Sequence, residues 1–192
     1  MKKIKKYFLD VSKIIEKLDN FEKEILEIKK IILTANKLKR KIFVIGNGGS
    51  AADSDHFAGE LICTFSNRKR KPFEIYSLNQ NNVAMTAWSN DFSYESYLER
   101  CLKAYSKKND VLICLTTSGG NIKKSQSKNL IRAVNFAKKN KILVVSLTGR
   151  TGGYVKRKSD ININIESQVT SYIQEAHMSI LHCICDLLEK EI

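Results

Sequence analysis

Lys41-Ile-Phe-Val-Ile45 runs directly into Gly46-Asn-Gly-Gly-Ser50 and then into Ala51-Ala-Asp-Ser-Asp-His-Phe-Ala-Gly-Glu-Leu61. A short, wholly apolar run closed by a small-residue loop reads as a strand buried on both faces. The residues after the loop carry a helical pattern, predicting a helix over 51–65 with Ser50 or Asp53 near its start. Strand, tight glycine loop, helix is the opening unit of a parallel α/β sheet.

Working outward, the same grammar recurs. Strands are expected at Phe73–Leu78, Asp110–Leu115, Lys141–Leu147 and Ile161–Ile165, with helices at Tyr94–Ser106, Asn129–Lys139 and Thr170–Lys190. Asn79–Ser89 reads as loop and then a short helix. Ahead of the first strand, Ile4, Phe8, Val11, Ile14, Ile15 and Leu18 recur at helical spacing. After a turn and N-cap at Asp19-Asn20, so do Phe21, Ile25, Ile28, Ile32 and Ala35. The expectation is one domain over 1–192: a three-layer αβα sandwich on a parallel sheet, with an N-terminal helical pair over 1–40. That pair carries an apolar stripe that a second copy of the chain would bury, so a homo-oligomer is expected.

Three strand ends finish in small polar clusters: Gly46–Ser50, Thr116-Thr-Ser-Gly-Gly120 and Thr148-Gly-Arg-Thr-Gly-Gly153. Ligands of open α/β sheets bind at the carboxyl ends of the strands. Glycine loops before helix N-termini offer backbone N–H groups to anions, and hydroxyls add donors. Turn chemistry alone explains a Gly-Ser junction; three consecutive hydroxyls at 116–118 exceed what a turn needs. Gly46-Asn-Gly-Gly-Ser-Ala51 also fits the dinucleotide pattern G-x-G-x-x-A. That pattern wants a carboxylate at the end of the next strand, and Ser77-Leu78 has none.

The chain has three histidines, His56, His177 and His182. His56 and Glu60, four apart, share one helix face and suit a metal or a proton transfer. A surface ion pair is the plainer alternative. On the last helix, Glu175 and His182 fall on nearly one stripe, Gln174 and His182 differ by roughly 80°, and His177 and His182 by roughly 140°. Spacing favours Glu175 with His182 and leaves the functional subset open. A lone histidine within Ile180-Leu-His-Cys-Ile-Cys185 is more often a core residue than a ligand.

Lys+Arg exceed Asp+Glu by 33 − 20 = 13 in 192 residues. This surplus attracts anions. The candidates run from phosphorylated metabolites to nucleic acid, but the lysines are spread along the chain rather than gathered in one stripe, which favours a compositional bias over a binding surface and makes nucleic acid an unexpected partner. Five cysteines without paired spacing argue against a disulfide framework and for a reducing compartment. Cys183 and Cys185 read as core residues. Met1-Lys-Lys-Ile-Lys-Lys opens like a signal peptide, but Asp10, Lys13, Glu16 and Lys17 break any apolar stretch, and no window approaches a membrane span. Cytoplasmic residence is the expectation.

Ile45-Gly-Asn-Gly-Gly-Ser-Ala-Ala-Asp-Ser-Asp-His-Phe-Ala-Gly-Glu-Leu61 resembles the signature of the bacterial phosphoheptose isomerases. Asn90-Asp91-Phe92, Asp110-Val-Leu-Ile113, Thr116-Thr-Ser-Gly119, Leu147-Thr-Gly149, Ile173-Gln-Glu-Ala-His177 and His182 follow in the family's order. The resemblance covers nearly the whole chain; the Thr-Thr-Ser-Gly loop alone marks the wider SIS superfamily. It implies a flavodoxin-like fold in a homotetramer with active sites between subunits, and one zinc ion per site. The implied zinc ligands are His56, Glu60, Gln174 and His182, with Glu60 and His182 also the acid–base pair. Thr116, Thr117 and Ser118, with Ser125 or Ser127, would hold the phosphate. Asn47, Gly48, Gly49, Ser50, Asp91 and Gln174 would complete the substrate site. The implied reaction converts sedoheptulose 7-phosphate to D-glycero-D-manno-heptose 7-phosphate through an enediol, for lipopolysaccharide or capsule.

Three departures from the family pattern bear on the substrate site. Thr64 stands where the family has Arg, with Arg68 nearby; several residues are inserted after Gly119; and Ser171 replaces Asp. Lys123 and Lys124 of the insertion are candidates to replace the missing Arg as phosphate partners. Two other functions share the resemblance: a tetrameric scaffold associating with the replication initiator, and a sugar-phosphate-sensing binding module. The intact set of implied metal and acid–base residues favours an enzyme.

Overall fold

A computed structural model describes residues 2–191; Met1 and Ile192, the outer ends of the single domain read from the sequence, lie outside the described residues. Five parallel strands form one sheet: β1 (Ile42–Ile45), β2 (Ile75–Ser77), β3 (Val111–Thr116), β4 (Leu143–Gly149) and β5 (Ile161–Ile165). Their order, β2-β1-β3-β4-β5, is the flavodoxin-like winding. The helices are α1 (Lys2–Ile15), α2 (Glu22–Lys37), α3 (Gly49–Ile62), α4 (Asn82–Asp91), α5 (Tyr94–Tyr105), α6 (Lys128–Lys139), α7 (Gly153–Lys158) and α8 (Thr170–Glu189).

Strand residues alternate between two cores, as the pleat requires. Ile42 and Val44 enter one core with Phe57 and Leu61 of α3 and Ile180 and Ile184 of α8. Phe43 and Ile45 enter the other with Leu98 and Leu102 of α5 and Leu130 and Val134 of α6. The expected three-layer sandwich is therefore formed, with α2, α3 and α8 on one face of the sheet. Phe57 is 1% exposed and seats α3 on β1; truncating it to Ala would cost about 3–5 kcal/mol. Among the described residues, no helix is long and apolar enough to cross a membrane.

The structure corrects the sequence reading at four places. The turn before α2 is a 3-10 turn over Leu18–Phe21, and neither Asp19 nor Asn20 caps α2; Phe21 holds the cap position without a side-chain bond. Helix α3 stops at Ile62 rather than 65, because the N–H groups of Phe65, Ser66 and Asn67 turn to the Glu189 carboxylate instead of continuing the helix. Thr148 and Gly149 extend β4, and α7 forms where only a loop was expected. Cys185 is buried as expected, but Cys183 is exposed; all five cysteines are free.

Candidate active site

Strands β1, β3 and β4 are neighbours, so the three glycine-bearing loops share one carboxyl edge of the sheet. The β1–β3 junction is the topological switch point where such sheets open a crevice. In the first loop a Cβ on Gly46 would stand 2.2 Å from the Ser50 carbonyl oxygen, so glycine is required for the turn into α3. The Asn79 side chain brackets the same residue, accepting from Gly46 N at 3.2 Å and donating to Gly46 O at 2.9 Å. Ser50 itself is 2% exposed, and Ser54 donates to its carbonyl.

The second loop is built around Thr116, whose hydroxyl accepts from Gly119 N at 3.2 Å. Gly119 turns at φ +69, and a Cβ there would stand 1.8 Å from Gly152 O. The β3 and β4 loops therefore touch backbone to backbone. Thr117 and Ser118 are half-buried on this loop. Beyond it, an antiparallel bridge between Asn121 and Gln126 closes the inserted residues into a small loop. Ser125 and Ser127 both adopt positive φ, 53 and 54, a strained region for residues with a Cβ. Ser127 heads α6 without using its hydroxyl as a cap. Hydroxyls and free N–H groups at the start of α6 make this end of the crevice suited to an anion. Lys123 and Lys124 are exposed.

Between the first and second loops lies a polar bridge that spacing gave no means of seeing. Asn47 and Asn129 exchange hydrogen bonds at 3.0 and 2.7 Å, and Tyr94 donates to Asn47 Oδ1 at 2.9 Å. Asp91 is exposed at the end of α4, accepting from Asn90.

The residues expected to form the acid–base pair lie on α3 and α8. His56 Nε2 is 3.0 Å from Glu60 Oε1. The His182 ring lies edge-on to His56 with centroids 5.1 Å apart. One ligand atom from each of His56, Glu60 and His182 falls within 4.8 Å of the others. Two imidazoles and a carboxylate so arranged could hold a divalent ion such as zinc, leaving room for a further ligand. The partner of His182 is thus Glu60 from the other helix; Glu175, favoured by spacing, is exposed. Gln174 stands eight residues before His182, about 12 Å along the helix axis. It meets α3 at its first turn, where a Cβ on Gly49 would lie 2.0 Å from Gln174 Nε2.

Two further titratable groups lie on these helices, Asp53 half-buried on α3 and His177 buried on α8. Burial pushes the Asp53 carboxyl up to about 6, opposed by His56 and reinforced by Glu175, and its Oδ2 has no hydrogen-bond partner. His177 is wholly buried, 3.1 Å from Thr148 O through Nε2, with Nδ1 unpartnered. Burial brings it down to about 4, only partly offset by that hydrogen bond.

The profile of the SIS domain family matches residues 6–149. The phosphoheptose isomerase of Leptospira biflexa is 42% identical over 164 residues, 85% of this chain and 81% of that one. That of Helicobacter pylori is 37% identical over 188 residues, 97% and 94% of the two chains. Among solved structures, the phosphoheptose isomerase from Neisseria gonorrhoeae superposes with a TM-score of 0.89 at 27% identity, covering 98% of both chains. The one from Francisella tularensis gives 0.90 at 27% identity, covering 98% and 97%.

Proposed function

Because the chain belongs to the SIS domain family and, within it, to the phosphoheptose isomerases, we propose that this sugar-phosphate isomerase interconverts sedoheptulose 7-phosphate and D-glycero-D-manno-heptose 7-phosphate. The observation that carries the reading is the meeting of His56, Glu60 and His182 from two helices, in a chain whose relatives bear that name.

Ketose–aldose interconversion moves a proton between adjacent carbons through an enediol while protons also shift on the two oxygens. Glu60 and His182 are the acid–base pair: one takes the carbon-bound proton and the other serves the oxygens. The loop at Thr116–Ser118, with Ser125 or Ser127, receives the phosphate through hydroxyls and N–H groups. Asn47, Gly48, Gly49, Ser50, Asp91 and Gln174 orient the sugar. His56, Glu60 and His182 are the residues that would hold zinc; Gln174 lies at Gly49, about 12 Å along α8 from His182, and would serve as the fourth ligand from a neighbouring copy. A bound zinc ion would polarise the substrate's carbonyl oxygen.

Helix rise sets His56 about 10 Å and Glu60 about 16 Å along α3 from Gly49 at the crevice. That separation, with Ile4, Phe8 and Leu9 of α1 each about half or more exposed, supports a homotetramer in which one copy's crevice works with another's helices. The product would feed a heptose-containing lipopolysaccharide or capsule, made in the cytoplasm.

The test is to incubate the purified protein with sedoheptulose 7-phosphate, with and without a chelator, and follow aldose formation. Turnover that the chelator abolishes and zinc restores is expected. Absence of aldose product from metal-loaded protein would refute the reading in favour of a scaffold or sensing module.

A further inference from the structure

Arg70 sits in a lysine-rich stretch, Arg68-Lys-Arg-Lys71, yet its side chain is fully buried and that of Glu189, at the end of α8, is 3% exposed. The two pair through Arg70 Nε and Glu189 Oε1 at 2.9 Å. Every donor of the guanidinium is used: Nη1 donates to Leu61 O and Lys71 O, and Nη2 to Glu60 O and Cys63 O. These include carbonyls that the end of α3 leaves without helical partners. The carboxylate is equally engaged. It accepts from the N–H groups of Phe65, Ser66 and Asn67 and from the Ser66 hydroxyl. Burial alone would raise the Glu189 carboxyl; hydrogen bonds from Ser66, Arg70, Asn67 and Phe65 overcome it and hold the group well below the usual carboxylate range.

A buried ion pair is weak evidence for stability, since desolvation offsets its attraction, and a fully satisfied one serves better to fix a geometry. What this pair fixes is specific. Arg70 holds the backbone carbonyl of Glu60 at 2.7 Å. Glu189 holds the backbone N–H of Phe65 at 2.9 Å, and the Phe65 ring lies 5.6 Å from the His182 ring, tilted by 31°. Glu189 is also on the same helix as His182, two turns further on.

We infer that the Arg70–Glu189 pair is a positioning device for the proton-transfer residues, holding Glu60 through its backbone and His182 through the Phe65 ring. The inference rests on the assignment of Glu60 and His182 as the acid–base pair. Arg70 and Glu189 touch no substrate; they act by keeping the end of α3, the segment 63–71 and α8 in one register. Small displacements of reacting groups are expensive, with about 1 Å able to lower a rate by 10²-fold.

The test compares Glu189→Gln and Arg70→Lys with the parent protein. Gln keeps one acceptor and turns an amide toward N–H groups; Lys keeps the charge but loses the fork to the α3 carbonyls. Steady-state turnover of sedoheptulose 7-phosphate and the imidazole ¹H–¹⁵N resonances of His182 are both read. The expected result is a kcat lowered by about tenfold or more with KM within about threefold, because the phosphate loop lies at the other end of α3. The His182 resonances shift as Phe65 leaves. Should Glu189→Gln fail to fold, Arg70→Lys carries the same two readouts. A kcat within twofold of the parent, or His182 resonances that stay in place, would overturn the proposal. Glu60→Gln is run in parallel. If it retains turnover, the acid–base assignment falls and the positioning proposal falls with it; if it loses turnover while Glu189→Gln and Arg70→Lys keep theirs, the positioning proposal alone is overturned.

Discussion

The Tyr94 hydroxyl donates to Asn47 Oδ1 at 2.9 Å while Asn129 Nδ2 donates to the same oxygen at 2.7 Å. Both lone pairs of that carbonyl are then occupied, and one Asn47 N–H is given to Asn129 Oδ1. An amide has two acceptor sites and two donors, so the Asn47 side chain has one N–H left to offer the proposed sugar substrate. Tyr94→Phe releases one lone pair and lets the amide turn. A neutral hydrogen bond is worth about 0.5–1.5 kcal/mol net. The expected outcome is a KM for the sugar phosphate raised by about fivefold with kcat nearly unchanged, read from initial rates. An unchanged KM would mean that the Asn47 orientation does not matter to binding.

The meeting of Glu60 and His182 yields a sharper expectation. Glu60→Gln and His182→Gln keep size and polarity and remove proton affinity at the reaction pH. Each is expected to lower kcat by at least about 10³-fold, consistent with the worth of general acid–base groups, without altering the assembly seen in sedimentation. Near-normal turnover in either variant removes that residue from its role.

How far the sequence could be read depended on the range of the interaction. The strands were legible because Phe43, Val44, Ile113 and Val145 lie in apolar runs that a two-sided burial demands. The helix-face pair His56 and Glu60 was legible because four residues make a turn. His182 could be matched to them through the family resemblance and not through spacing, which pointed to Glu175 on its own helix. Nothing local marks Arg70, whose neighbours make it look like part of a solvated charge run, or Glu189, which lies 119 residues away in sequence. The α7 helix over Gly153–Lys158 was missed because it buries one apolar side chain, Val155, too few to show a period. Tyr94 and Asn129 read as ordinary helix-start residues until the loops brought Asn47 between them.

Two glycines of the crevice should respond differently to the same methyl group. At Gly119 a Cβ would meet the Gly152 carbonyl oxygen at 1.8 Å, on a backbone already at φ +69. Backbone cannot move aside without separating the β3 and β4 loops. Gly119→Ala is expected to destabilise the fold by more than about 2 kcal/mol and to abolish phosphate binding. At Gly49 the Cβ would meet Gln174 Nε2 at 2.0 Å, the far end of a flexible side chain. Gly49→Ala should leave thermal stability within about 1 kcal/mol while displacing Gln174, so its effect appears in the kinetics for the sugar phosphate. Equal losses of stability in the two variants would contradict this contrast.

The buried His177 makes acid sensitivity measurable at one residue. Its folded value of about 4 lies below the usual 6.5. Above pH 6.5 neither the folded nor the unfolded chain protonates it. Between 6.5 and 4 the unfolded chain takes up a proton that the folded chain refuses, so stability falls as pH falls; below 4 the effect levels off. At about 1.4 kcal/mol per unit, the loss from this group between pH 7 and pH 5 is about 2 kcal/mol. Asp53 works in the opposite direction, since its folded value of about 6 lies above 3.8 and the folded chain gains a proton first. The parent's pH profile therefore mixes both groups, and the informative quantity is a difference. Urea unfolding of the parent and of His177→Gln should show the parent losing about 2 kcal/mol relative to the variant from pH 7 to pH 5. In Asp53→Asn the parent should instead gain relative to the variant over the same window. Parallel profiles for parent and His177→Gln would mean that the imidazole finds a proton-stabilising partner in the fold, against the unpartnered Nδ1 that the structure places there.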